Sequence, residues 1–109
     1  MRPSHVSAGV LAVDSGGSGL RAALAVHGHV VGVPLTSKEP VRTGPRGIDA
    51  GHLLEQLLPM ARELMAATGT EELGAVTVGA AGLATLGDAL RAELPSALER
   101  ELGVRRLAL

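Results

Sequence analysis

The chain has 109 residues, 46% of them hydrophobic, with a formal net charge of −1, no cysteine and no aromatic residue. Its length favours one domain with one core. The missing cysteines exclude a disulfide framework or a Cys-ligated zinc or iron–sulfur site within these residues, and the near-neutral charge and absent aromatic platforms argue against nucleic acid as a partner.

Met1 to Ala8 is polar and reads as a flexible N-terminus. Together with Gly9 it holds one Arg and no long apolar stretch, so it does not read as a signal peptide. No apolar run anywhere reaches the roughly 20 residues that cross a bilayer, and the expected location is the cytoplasm. Gly9-Val10-Leu11-Ala12-Val13 is a short apolar run ending at Asp14, as a strand buried on both faces would be. Ser15 to Gly19 is a glycine loop. Leu20 to Val26 is a second strand, His27-Gly28-His29 a tight turn, and Val30 to Leu35 a third strand closed by Pro34 and a polar stretch. Links this short make the three strands an antiparallel meander.

Val41 to Gly47 carries Pro and Gly and reads as a loop. Asp49 is the expected N-cap of a long helix ending near Thr68, with Gly69 as its stop. Leu53, Leu54, Leu57, Leu58, Ala61, Leu64 and Met65 define its apolar face. Pro59 lies inside that pattern, and a kink or break is expected there. Ala75 to Val78 is a fourth strand running into Gly79-Ala80-Ala81-Gly82. Gly87 to Leu102 is a second helical region interrupted by Pro95, and Val104 to Leu109 opens a fifth strand.

The order β-β-β-α-β-α-β is that of an α/β, ribonuclease H-like mixed sheet with strand order 3-2-1-4-5. Both crossovers step the same way across the sheet. Right-handed connections then place both helices on one face, and the apolar character of the other face marks a missing partner surface. A C-terminal lobe continuing the polypeptide, or a homodimer, would cover it.

The chemistry concentrates at Asp14 to Gly19. Glycines let backbone N–H groups approach phosphate oxygens, and a Ser hydroxyl donates to them. A carboxylate at the strand end can hold a hydrated Mg²⁺. No Gly-Lys-Ser/Thr follows, so this is not a Walker A loop. A strand follows where a dinucleotide fingerprint needs a helix. The bland alternative is a plain glycine-rich hairpin. His27 and His29 read as turn residues without enough companions for a metal site. His52 falls in the first turn of its helix. Arg91, Glu93, Glu99, Arg100 and Glu101 read as a solvated helix face.

Val13-Asp14-Ser15-Gly16-Gly17-Ser18-Gly19-Leu20-Arg21 resembles the first phosphate motif of the BadF/BadG-type ATPases, the family of the N-acetylglucosamine kinases within the actin–hexokinase superfamily. Thr43-Gly44-Pro45 resembles that family's Gly-Pro-x-Asn loop, and Val78-Gly79-Ala80-Ala81-Gly82-Leu83 its Gly-Leu-Ala-Gly segment. The resemblance runs from about Val10 to Leu109 and identifies residues 9–109 as an N-terminal ATPase lobe. It departs from the family at Ser15, Gly19, Leu20 and Gly47. The resemblance implies phosphoryl transfer from MgATP to N-acetylglucosamine or a similar small sugar. Asp14 would position Mg²⁺ through water, Gly16, Gly17, Ser18 and Gly19 would cradle the ATP phosphates, and Gly44, Ala81 and Gly82 are candidate sugar contacts. The catalytic base is expected beyond Leu109, so no catalytic residue is assigned within the chain and the 109 residues alone are expected to be inactive. The alternatives are the activator ATPase of a dehydratase or reductase, and a non-catalytic module with a degenerate nucleotide site.

Overall fold

The computed structural model describes residues 8–16, 19–39, 42–45, 47–80 and 87–109. Of the expected flexible tail, Met1 to Ala8, all but Ala8 lies outside them. The elements are β1 (Gly9–Gly16), β2 (Gly19–Val26), β3 (His29–Ser37), β4 (Thr43–Gly44), β5 (Gly47–Ile48), α1 (Ala50–Thr68), β6 (Leu73–Ala80), α2 (Asp88–Leu102) and β7 (Arg106–Ala108).

One five-stranded sheet has the order β3-β2-β1-β6-β7. Strands β1, β2 and β3 form an antiparallel meander, and β6 and β7 join parallel to β1. This is the ribonuclease H-like arrangement. Its fourth and fifth large strands follow one small hairpin in sequence, β4–β5, which pairs Thr43 with Ile48 and Gly44 with Gly47. That hairpin corrects the reading of Val41 to Gly47 as a plain loop. It was invisible to pattern because a two-residue ladder shows no period. The turn after β2 came out as expected, with His27 at φ 53° and Gly28 at φ 78°, the two positive values a type I′ hairpin needs.

Strand β3 runs past Pro34 to Ser37. Ala22 pairs with Leu35 and Leu24 with Val31, so Gly32, Val33 and Pro34 stand opposite Ala23 alone. This bulge puts Pro34, which lacks an N–H, where no ladder bond is needed. It also blunts an edge strand that would otherwise invite pairing.

Alternation along β1 sends Leu11 and Val13 into the core and leaves Val10, Ala12 and Asp14 exposed. Leu20, Ala22 and Leu24 of β2 and Val76 and Val78 of β6 point the same way as Leu11. Both helices contribute to that one cluster, through Leu53, Leu57 and Leu64 of α1 and Leu90, Leu94 and Leu98 of α2. Both therefore lie on one face of the sheet, as handedness requires. Aliphatic side chains alone fill this core, whose largest fully buried members are all Leu, Ile or Val.

Neither proline breaks its helix. Helix α1 is continuous through Pro59 and α2 through Pro95, and both prolines are exposed. Of the kink or break expected at Pro59, the break does not occur, and magnitudes explain why. An interior proline costs about 3 kcal/mol, whereas burying Leu53, Leu57 and Leu64 stabilises by about 1.5–3 kcal/mol each. Asp49 caps α1 as expected, its Oδ1 accepting from the His52 amide at 3.0 Å. Gly69 and Gly103 close the two helices in the left-handed region. Among the described residues no helix is long and apolar enough to cross a membrane.

Candidate functional site

Parallel pairing of β1 and β6, with a helix in each crossover, gathers one end of the sheet into a small set of neighbours. There β1 ends at Gly16, β2 begins at Gly19, β6 ends at Ala80, and β3 ends at Ser37 opposite Leu20. Helices α1 and α2 start at this same end, and the β4–β5 hairpin leads into α1. The Asp49 amide donates to the Arg42 carbonyl at 2.7 Å, closing the base of that hairpin. In open α/β sheets, ligands bind outside the carboxyl ends of the strands.

Asp14 pairs with Arg21 across the β1–β2 ladder and stands beside Gly79 of β6. Its side chain is on the face without helices. Arg21 Nη2 is 3.9 Å from Asp14 Oδ2, and both side chains are about 70% exposed, 72% for Arg21 and 70% for Asp14. A pair so long and so wet holds by at most about 1 kcal/mol, so either partner can be recruited by a ligand. Among the described residues no three His, Cys, Asp or Glu side chains cluster tightly enough to hold a metal. The donor set therefore does not make a protein cage. One accessible carboxylate fits a Mg²⁺ whose other ligands are water and phosphate.

Of the four loop residues expected at the phosphates, Gly16 and Gly19 are described and close the ladder as its last pair. Gly17 and Ser18 lie outside the described residues. Strand β2 begins at Gly19, paired with Gly16 of β1, so a strand and not a helix stands from Gly19 onward. The two described glycines are glycines for different reasons. A Cβ on Gly16 would meet no atom within 4 Å, so its backbone is open to an approaching group. Gly19 has φ 142°, and a Cβ there would strike the carbonyl oxygen of Ser37. Packing against β3 therefore accounts for Gly19 without any ligand.

Gly44 lies in β4, at the rim of a depression of about 310 Å³ bounded also by Gly47, Ile48, Asp49 and Ala89. It thus lies between the start of α1 and the start of α2, on the helix side of the sheet. Ala81 and Gly82, the other candidate sugar contacts, lie outside the described residues.

Pattern reading missed two features. The first is a polar strap between β3 and α1. Ser37 Oγ donates to Gln56 Oε1 at 2.7 Å, Gln56 Nε2 is 3.3 Å from Nδ1 of the buried His52, and His52 Nε2 is 3.6 Å from Glu39 Oε2. It fixes the end of β3, on which Gly19 rests. The second is Ser15, which is buried on the helix side of β1. Neither carried a sequence signal, because both depend on which strands become neighbours.

The geometry defines a ribonuclease H-like α/β domain whose glycine hairpin and strand-end carboxylate share the carboxyl end of the sheet. A solved structure has the same fold: a crystal structure of an exopolyphosphatase-like protein superposes with a TM-score of 0.50 at 20% sequence identity, over 95% of this chain and 33% of that one. The chain thus spans about a third of the length of that protein, and at this identity the likeness is one of fold. No protein-family model and no curated protein matches the sequence.

Proposed function

We propose that the chain grips the phosphates of MgATP in a phosphotransferase of the BadF/BadG type, acting on the hydroxyl of N-acetylglucosamine or a similar small sugar. The observation that carries this reading is the hairpin itself: two strands joined across Gly16 and Gly19 at the carboxyl end of a parallel sheet, with an accessible carboxylate beside it. Backbone amides at such a tip can converge on an anion. Asp14 would hold Mg²⁺ through water, and Mg²⁺ would offset phosphate charge during transfer. Arg21 releases Asp14 at little cost, for the reason given above. The residue that deprotonates the acceptor would come from polypeptide outside these residues, and a second lobe would cover the sheet face that carries Asp14.

A second reading takes its support from the exopolyphosphatase-like neighbour. The same hairpin could hold an inorganic phosphate chain, with water and not a sugar as acceptor. The two readings differ in what competes for the site. Under the first, calorimetry with MgATP shows binding that Asp14→Asn weakens about tenfold, a loss of about 1.4 kcal/mol, and long-chain polyphosphate competes poorly. Affinity unchanged within a few-fold in Asp14→Asn removes the metal role, and strong competition by polyphosphate favours the second reading.

A further inference from the structure

His52 is a buried histidine whose neighbours fix where its proton sits. The Gln56 amide decides the matter. Its Nε2 lies 3.5 Å from the His52 carbonyl oxygen and 3.3 Å from His52 Nδ1. A carbonyl can only accept, so the nitrogen of that amide, and not its oxygen, faces His52. Nδ1 is then the acceptor, and the neutral ring carries its proton on Nε2, which is 3.6 Å from Glu39 Oε2. At the other end Gln56 Oε1 accepts from Ser37 Oγ at 2.7 Å, and Ser37 Oγ accepts from the Glu39 amide at 3.3 Å. The hydrogen bonds thus run one way, from the Glu39 amide through Ser37 and Gln56 to the His52 ring.

A second ring proton has no place in this chain. At Nδ1 it would meet an amide that is itself donating. Gln56 would have to turn over, which sets its oxygen against the His52 carbonyl and takes the acceptor away from the Ser37 hydroxyl. The charged groups that face the ring are Glu39, beyond the end of β3, and Asp49, whose Oδ1 accepts from the His52 amide; Glu93 of α2 borders the depression that Asp49 and Ala50 line. The Glu39 side chain is 62% exposed. Water therefore weakens its pull on an imidazolium, and the ion pair gained does not replace the hydrogen bonds lost.

Ser37 matters because of where its backbone lies. It pairs with Leu20, and its carbonyl oxygen stands where a Cβ on Gly19 would be. Gly19 in turn closes the hairpin against Gly16. We propose that His52 is a positioning residue for the hairpin. Neutral, it holds Ser37, and through Ser37 the Gly19 backbone, in the arrangement that grips phosphate. Protonated, it frees the end of β3 and the grip weakens. This rests on the phosphate-binding reading of the hairpin and adds a pH response to it.

The test is an NMR titration of the labelled protein from about pH 8 to about pH 5, the window in which imidazoles change charge, with MgADP as the probe. Ring nitrogen shifts of neutral His52 should show Nδ1 without a proton. The amides of Gly16, Gly19 and Ser37 should move with the His52 midpoint, with or without nucleotide. Acidification should weaken MgADP binding about fivefold more in the wild type than in His52→Asn, whose side-chain oxygen can take the place of Nδ1 without titrating. The comparison cancels protonation of the nucleotide itself. Gln56→Leu, at a half-buried position, cuts the strap and should lose the extra pH dependence as well. A neutral ring protonated on Nδ1, hairpin amides that ignore His52, or equal pH dependence in His52→Asn overturns the proposal. Absence of MgADP binding at every pH counts against the phosphate-binding reading instead, and the ring and hairpin shifts then decide the role of His52 alone.

Discussion

At the residue scale, glycines that look alike in sequence separate once their neighbours are known. Gly16 faces open space, whereas Gly19 combines φ 142° with a carbonyl where its Cβ would be. Gly19→Ala must therefore move β3 as well as strain its own backbone, and strain of this kind costs about 1–3 kcal/mol. Chemical denaturation should show a loss at or above that range, while Gly16→Ala should change stability by less than about 1 kcal/mol. Equal effects would mean that the hairpin is held differently from the geometry seen here. The Asp14 carboxylate and the glycine pair were legible in the sequence because an apolar run ending in Asp before a glycine cluster is a local pattern. The reason for Gly19 was not legible, since Ser37 is its neighbour only after β2 and β3 pair. The same holds for Ser15, whose burial follows from helices packed over β1.

At the element scale, local signals read well where a cap defined them and poorly where packing overruled them. Asp49, Gly69 and Gly103 bounded their helices as their chemistry suggests. Pro59 and Pro95 did not interrupt theirs. Because Pro59 is exposed, its replacement removes little packing. Pro59→Ala should let the residue 59 N–H donate to the residue 55 carbonyl and stabilise the protein, by about 3 kcal/mol less the roughly 1 kcal/mol by which proline restrains the unfolded chain. Thermal denaturation reads this directly, and a destabilised variant would show that α1 depends on the proline's shape. The two helices are also joined by Arg62 Nη2 and Glu101 Oε1 at 3.0 Å. Hydrogen bonds from Arg100, and then from Arg62, hold the Glu101 carboxyl below its ordinary value of 4.5. The folded-state value is the depressed one, so this contribution is present above the ordinary carboxylate range and fades as pH falls through the lowered value. Glu101 lies at the surface with its side chain 36% exposed, where solvent screens the pair, so Glu101→Gln should flatten the acid side of the stability profile only slightly.

At the scale of the whole molecule, the handedness of two crossovers decides the surface. Both helices cover one side, which leaves Val10, Ala12, Ala23, Ala25, Ala75 and Thr77 together on the other. Most of these side chains are small, and a shallow depression of about 320 Å³ bordered by Ala12, Asp14, Arg21, Ala23 and Pro34 lies on the same face; exposed apolar patches mark interaction surfaces. The strands were expected to be apolar on both sides, and the open side is apolar chiefly through alanine. Two such faces from two copies would leave a gap at the usual sheet spacing of about 10 Å, because alanine against alanine cannot fill it. Larger side chains, of the kind a helix presents, can. The 109-residue chain should therefore bind a hydrophobic dye on this face and associate weakly and without fixed stoichiometry. Ala12→Glu should abolish both behaviours and leave the unfolding free energy within about 0.5 kcal/mol of wild type, as substitutions on a solvated surface do. Sedimentation and dye titration together decide the matter: a discrete dimer that Ala12→Glu splits would show that a second copy does close the face, and the argument from side-chain volume would be wrong.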